Sequence, residues 1–459
     1  MKKILTILLV VILSVIIALP FFGNKAVEMV LEDRLEVLNS FGLEIDNIKT
    51  DSTYLKSKKH YTVYVKDANK FIAYLNQFSN SQIPIYVEAM LEGTKLEARI
   101  EHSNIPLTDG VSIDIYPIEL SENIVDIIKE NDVGFSKYFS DFLSNKGFAY
   151  SINYNILSKD FDGYIKDIDE SYTFASGYKV DFKLSGVNFD GNGILIAPEK
   201  LNSKVDEISF KIDKDSEKLD ILFSNISESL VFKSKTNYII NSNIRRIVLN
   251  AEAKDYNKSE IIFDNIGFDF LTDTKNNKIN FFTKVTFDKL FLNTPKATID
   301  LDSFIYDMSL TKLDKDSFEL ILDLINQAKI DQTPQMQEQM TENIIILLSK
   351  GIELKIAELS LAKVVLNNTK NLQGVSLKAD FILLPNDVLT NKQTDPTTLL
   401  NEMKIDILLK ISKKMFSELS QTQPVLVITQ NFAKEQNDNF IFDIKIYDGN
   451  LTVNNKVIQ

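Results

Sequence analysis

The sequence predicts an α+β, predominantly β fold. An N-terminal transmembrane helix leads into a long curved antiparallel sheet, with a few helices covering one face. Three observations carry this expectation. Ile4 to Phe22 is an unbroken uncharged run. Period-two alternation of apolar and polar residues recurs through most of the chain, as half-buried strands require. Helical three- and four-residue spacing is confined to short interruptions.

The N-terminal run spans about 28 Å at 1.5 Å rise per residue, close to the hydrocarbon thickness of a bilayer. A cleaved signal has a shorter apolar region and an A-x-A-like site, whereas here Ala18 is followed by Leu19 and Pro20. Retention as a signal anchor is expected over residues 1–24. Lys2 and Lys3 place the N-terminus in the cytoplasm by the positive-inside rule. The expected location is the inner membrane, single-pass, with a periplasmic body. Val27, Val30, Leu31 and Leu38 then recur at helical steps, as a stalk or first packing helix.

Residues 25–150 read as a mixed α+β region. Ile85, Val87, Ala89 and Leu91 alternate with Tyr86, Glu88 and Met90, and Leu96, Ala98 and Ile100 follow a Glu92-Gly93-Thr94 turn. Together they predict a hairpin. Val111, Ile113 and Ile115 predict another strand. Helices are expected around Phe71, Tyr74, Leu75 and Phe78, and around Ile124, Ile127 and Ile128 behind a Ser121 cap.

Residues 151–459 read as a β-rich region with helices near 315–350. Strands are expected around Val180, Phe182 and Leu184; Ile208, Phe210 and Ile212; Leu219, Ile221 and Phe223; and Ile279 to Phe287. Others are expected at Ile352 to Ile356, Val375 to Leu383, Ile405 to Ile411 and Phe440 to Ile446. Asp448-Gly449 is a strong hairpin signal before Leu451 and Val453. Asp314 is placed to cap a helix bearing Phe318, Ile321, Leu322 and Ile325, and Met336, Met340, Ile344 and Leu347 mark the next.

Composition excludes several functions. The chain is 44% hydrophobic and 25% charged, a globular balance. A formal charge of −13 repels phosphate backbones, so no nucleic-acid partner is expected. Lys56, Lys58, Lys59 and the Arg245–Arg246 pair read as solvated faces. No Cys is present, which removes thiol catalysis and cysteine metal sites. The two His, His60 and His102, lie apart, without metalloprotease spacing. Asp190-Gly191-Asn192-Gly193 superficially starts a calcium loop, but a Gly-rich hairpin turn fits better. No catalytic residue, metal or cofactor is expected, and the chain reads as a non-enzyme.

Near the C-terminus the residues carry a resemblance. Ser309-Leu310-Thr311-Lys312-Leu313-Asp314 precedes a helix, and a second helix runs into Leu348-Ser349-Lys350-Gly351-Ile352-Glu353-Leu354. The chain ends on Tyr447-Asp448-Gly449-Asn450-Leu451-Thr452-Val453-Asn454-Asn455. With the N-terminal anchor, this resembles the YdgA-like family of bacterial membrane-anchored envelope proteins over residues 1–40 and 260–459. Asn454-Asn455 departs from the family's usual Asn-Gly. The resemblance implies an envelope location and a broader similarity to AsmA-like β-rich proteins, and it implies no catalytic residues.

Several C-terminal strands carry large apolar residues on one face. These are Phe281, Val285 and Phe287; Val375, Leu377 and Phe381; and Phe440, Phe442 and Ile444. The helices around Phe318–Ile325 and Met336–Leu347 are each under about 25 Å long, too short to cover a sheet six or more strands wide at about 4.8 Å spacing. The face is therefore a candidate apolar groove for a lipid, another apolar envelope component or an envelope protein. Alternatively the sheet folds on itself, or the chain is a non-catalytic scaffold. Oligomeric state is not legible.

Overall fold

A computed structural model describes residues 40–458, apart from 53–55, 77–87, 89–90, 104–109, 156, 195–196, 216, 235, 254–257, 329–333, 367–369, 391–400, 424–425, 427–428 and 448. The expected anchor and the helix after it lie outside the described residues. No described helix is long and apolar enough to cross a membrane. The chain divides into two compact units, residues 1–231 with 251–256, and residues 232–250 with 257–459. Both are predominantly β and their pairings are antiparallel.

In the first unit the strands are β1 (Leu43–Ser52), β2 (Lys56–Val65), β3 (Lys95–Ser103), β4 (Val111–Glu119), β5 (Tyr150–Tyr154) and β6 (Asp160–Ile165). There follow β7 (Ile168–Thr173), β8 (Lys179–Ser185), β9 (Val187–Ile194), β10 (Ala197–Lys214) and β11 (Glu217–Ser234). β1 to β6 pair in sequence, and β6 then pairs with β9. One edge of β10 takes β9 along its first half and β8 along its second; β11 runs along the other edge.

Helices Ala68–Asn76, Glu122–Asn131 and Val133–Ser144 pack on this unit. Ser121 caps the second as expected, its hydroxyl accepting the Ile124 N–H at 3.3 Å. Asp132 caps the third, accepting from Phe135 N–H at 2.8 Å. The buried core includes Ile100, Ile113, Ile152, Phe135 and Leu184.

Two expectations are corrected here. Glu88 and Leu91 are helical where a strand is expected, and the partners of β3 are β2 and β4. Apolar residues there are nearly continuous, and such a run does not separate strand from helix. Glu88 and Glu92, one helical turn apart, both reach the helix Ala68–Asn76. Glu88 accepts from the Asn69 amide at 2.5 Å and Glu92 from the Ala68 N–H at 2.8 Å. The second correction concerns Asp190 to Gly193, which lie inside β9 and form no turn. Gly191 opposes Phe161 on β6, and Gly163 opposes Phe189. A Cβ on Gly191 would fall 2.3 Å from the Phe161 ring. These glycines leave room for a facing aromatic ring.

The second unit contains β12 (Asn237–Glu252), β13 (Lys258–Lys275), β14 (Lys278–Asn293), β15 (Thr298–Asp314), β16 (Ile352–Leu366) and β17 (Lys370–Leu383). After these come β18 (Met403–Ser412), β19 (Lys434–Gln436), β20 (Asn439–Tyr447), β21 (Asn450–Val453) and β22 (Lys456–Val457). From β13 to β18 every strand pairs with the next, and β18 pairs with β20. The far edge of β20 carries β19 and β21, and β22 follows on β21. Helices Lys315–Ala328 and Pro334–Ser349 are inserted between β15 and β16, and Lys413–Thr422 follows β18.

Turn chemistry fixes this register. Asn276 and Asn277 have φ of 53° and 57° between β13 and β14. Asn454 and Asn455, at 49° and 63°, do the same between β21 and β22. Two left-handed residues in a two-residue loop match the twist of the strands, and Asn tolerates that conformation. The departure from Asn-Gly thus preserves the turn. The Asn454 amide also donates to Phe432 and Ile441 carbonyls at 2.7 and 2.9 Å.

β16 and β17 approach closely at Gly374, where a Cβ would fall 1.4 Å from the Leu361 carbonyl oxygen. Gly374→Ala should therefore destabilise the protein by at least about 2 kcal/mol, because backbone must move. Urea unfolding monitored by tyrosine fluorescence tests this; an unchanged midpoint would refute the close approach.

Candidate functional site

Directly opposed residues on neighbouring strands share a face. In the second unit the register therefore defines rows across the sheet. One row begins Phe268, Val285, Tyr306 and Leu359 on β13 to β16. It continues through Leu377, Leu409 and Phe442 on β17, β18 and β20. A second runs from Phe281 through Leu310, Leu354, Phe381 and Ile405 to Ile446. Between them lie Thr283, Met308, Ile356, Ala379, Ile407 and Ile444. A fourth row holds Phe287, Phe304, Leu361, Val375, Ile411 and Phe440. All eight groove residues expected from the sequence fall in these rows.

Two irregularities keep the face apolar. Ile356 and Leu359 of β16 oppose Ala379 and Leu377, so Ala357 and Glu358 occupy the space of one β17 residue. Leu310 and Leu313 of β15 oppose Phe281 and Ile279, so Thr311 and Lys312 face Asn280 alone. Lys312 takes a φ of 67° there, and its N–H donates to the Asn280 side chain at 3.1 Å. An unmatched residue restores the strand's phase, so the next apolar side chain returns to the same side.

The other face is polar and ion-paired. Lys355 meets Asp380 at 3.4 Å, Lys312 meets Glu353 at 2.5 Å and Lys445 meets Asp443 at 3.4 Å. Tyr447 donates to Asp406 at 3.1 Å. The sheet thus has one wet, charged side and one apolar side.

Among the described residues, helices cover the apolar side at its margins. Ile279 and Leu313 are buried with Ile321 and Leu347 of the inserted helices, and Phe318 lies 5.2 Å from Phe281. At another corner Phe416 packs on Phe440 and Phe442, at 5.0 and 6.0 Å between ring centres. Phe440 and Phe442 are consequently buried, each 5% exposed. Between these margins Val285, Tyr306, Met308, Leu354, Ile356, Leu377, Phe381, Ile405, Ile407 and Ile444 are only half-buried. Sequence reading missed Tyr306, Met308, Leu354, Ile356, Ile405 and Ile407 as members of this face; their signal is the pairing register, which sets Tyr306 opposite Leu359 and Ile405 opposite Phe381 and Ile446.

The resemblance-bearing residues converge at one margin. Asp314 ends β15 and accepts the Ser317 N–H and hydroxyl at 3.2 and 2.9 Å, capping the first inserted helix. Lys350, after the second helix, donates to the same carboxylate at 2.6 Å, and Lys278 stands 3.6 Å away. Gly351 follows with φ of 82°, its N–H bonding to Leu348 O at 3.0 Å. Burial would raise the Asp314 pKa, but the Lys350 and Ser317 hydrogen bonds outweigh it and bring it to about 2.

His60 lies 3.6 Å from Glu97, and His102 sits on β3 opposite Val111. Among the described residues no group of three or more His, Cys, Asp or Glu is placed to hold a metal ion. In the first unit a void of about 60 Å³ lies among Phe135, Phe139, Phe148 and Phe174, small for a ligand.

A carboxylate with a lowered folded pKa stabilises the fold above its unfolded pKa, near 3.9, and that contribution fades as pH falls through about 2. The wild type should therefore lose about 2 kcal/mol between pH 5 and pH 2 through this group. Asp314→Asn, which keeps a capping side chain, should start lower and lack that component. Urea titrations at both pH values check this; parallel pH dependence in both proteins would refute it.

Comparison with curated proteins finds no match, and neither does comparison with solved structures. Residues 151–459 match one family, described as bacterial protein of unknown function (DUF945). That match spans more than half of the chain and includes the whole apolar face, so the protein belongs to the DUF945 family of bacterial proteins.

Proposed function

We propose that this is a membrane-anchored, extracytoplasmic envelope protein that holds a lipid acyl chain along the apolar face of its second unit. The narrower YdgA-like membership and the similarity to AsmA-like proteins belong to the same reading. The observation that carries it is the set of four apolar rows left half-exposed between helical margins. Six or seven strands at about 4.8 Å spacing make the rows about 24–29 Å wide, enough for an extended acyl chain. No ionisable side chain other than the Tyr306 phenol lies on these rows, so they offer dispersion contact and little directional recognition. Such a surface suits aliphatic chains better than a peptide, whose backbone needs hydrogen-bond partners.

A scaffold role is the second reading. Leu320, Ile325, Ile344 and Ile346 of the inserted helices are 38–48% exposed and would suit a protein partner.

Photo-reactive phenylalanine at Ile356 or Ile407 should give lipid adducts in cells, and none when placed at Lys410 on the polar face. Adducts to protein alone would favour the scaffold. A periplasm-dependent reporter fused after Gln459 should be active, with the chain in the membrane fraction; activity of a cytoplasm-dependent reporter instead would refute the topology.

A further inference from the structure

The margin covered by Phe416 opens outward into a cleft of about 460 Å³. Its floor is Phe416 and Phe440, both 5% exposed. Phe416, Phe440 and Phe442 form one buried cluster with Ile411, against which Val375, Leu409 and Ile444 pack. The cleft therefore shares its floor with the apolar sheet face. Its rim differs in chemistry. Lys413, Ser417, Ser420 and Gln421 come from one side of the helix Lys413–Thr422, and Gln430 faces them.

Charge narrows what could occupy this rim. Lys413 is its one ionisable group, and its ammonium is held by Glu435 and stands 5.6 Å from the Phe440 ring centre. The remaining polar groups are neutral. Ser420 donates its hydroxyl proton to Phe416 O at 2.7 Å and can still accept. The side-chain amides of Gln421 and Gln430, both exposed, have no partner among the described residues. Amides and hydroxyls together both donate and accept, which matches a polyol. A phosphate would need a free cation or several converging donors, and Lys413 is already compensated.

We infer that this cleft receives the neutral, hydroxyl-bearing head of a lipid, such as a glycerol or sugar group, while the tail lies on the sheet. This rests on the acyl-chain reading above. The protein would then select for head chemistry at one margin and accept tails with little discrimination.

The test uses the purified full chain in amphipol and three labelled probes: monooleoylglycerol, 1-octadecene and oleoyl lysophosphatidic acid. Monooleoylglycerol should bind about tenfold tighter than octadecene, the gain of two net hydrogen bonds. A Gln421→Ala/Gln430→Ala variant should lose that difference with octadecene binding unchanged. Equal binding of monooleoylglycerol and octadecene, or a difference that survives the double variant, would overturn the head site and leave the sheet reading standing. Tightest binding by the lysophosphatidic acid would overturn it in favour of an anion site at Lys413. Binding of no probe would remove both readings.

Discussion

Alternation along a strand is the constraint on which the second unit depends. Side chains point to opposite faces in turn, so one unmatched residue inverts everything beyond it. β13 to β17 are 14–18 residues long, about 45–60 Å of extended chain. Twist and imperfect pairing accumulate over such a length. Thr311-Lys312 on β15 and Ala357-Glu358 on β16 each absorb one extra residue, and on both sides of each site the apolar residues remain on the same face. Without them Leu354 and Ile356 would share a face with Asp380 and Lys378. The apolar surface is a product of register as much as of composition.

What covers the sheet follows from that arrangement. An antiparallel sheet can leave one face in water when that face is polar, and here Lys355–Asp380 and Lys445–Asp443 pairs occupy it. Among the described residues, the opposite face receives helices where the chain leaves the sheet. Asp314 binds the end of β15 to the inserted helices through Ser317 and Lys350. Ser412 performs the comparable capping for the last helix, its hydroxyl accepting the Met415 N–H at 3.2 Å. In both places a strand ends in a side chain that starts a helix, so margin cover is written into the strand ends while the centre is left to whatever else can bury it.

Much of this was legible in the sequence. Strands with clean alternation, such as Ile279 to Phe287 and Phe440 to Ile446, follow directly from period two. Ser121 and Asp314 declare their helices by capping. Difficulty arose where local pattern is ambiguous or where meaning is non-local. The apolar run before Glu92 suits strand or helix, and Glu88 and Leu91 are helical. Asp190 to Gly193 resemble a turn because glycine is usually punctuation, whereas their role is to receive the facing rings. At the site, the three-residue step from Ile356 to Leu359 looks like the end of a strand. It is an internal bulge, visible only against β17. Burial of Phe440 and Phe442 was likewise hidden, since Phe416 covers them from a helix whose placement the sequence does not state.

From β13 to β18 each strand pairs with its neighbour in the chain, and the Asn276-Asn277 turn closes one such step within two residues. The sheet is therefore additive. Duplication of one hairpin would widen the apolar face by about 10 Å, and loss of one would narrow it equally. Strand number therefore sets the width of the apolar face, and under the acyl-chain proposal it sets the length of chain that the face can take.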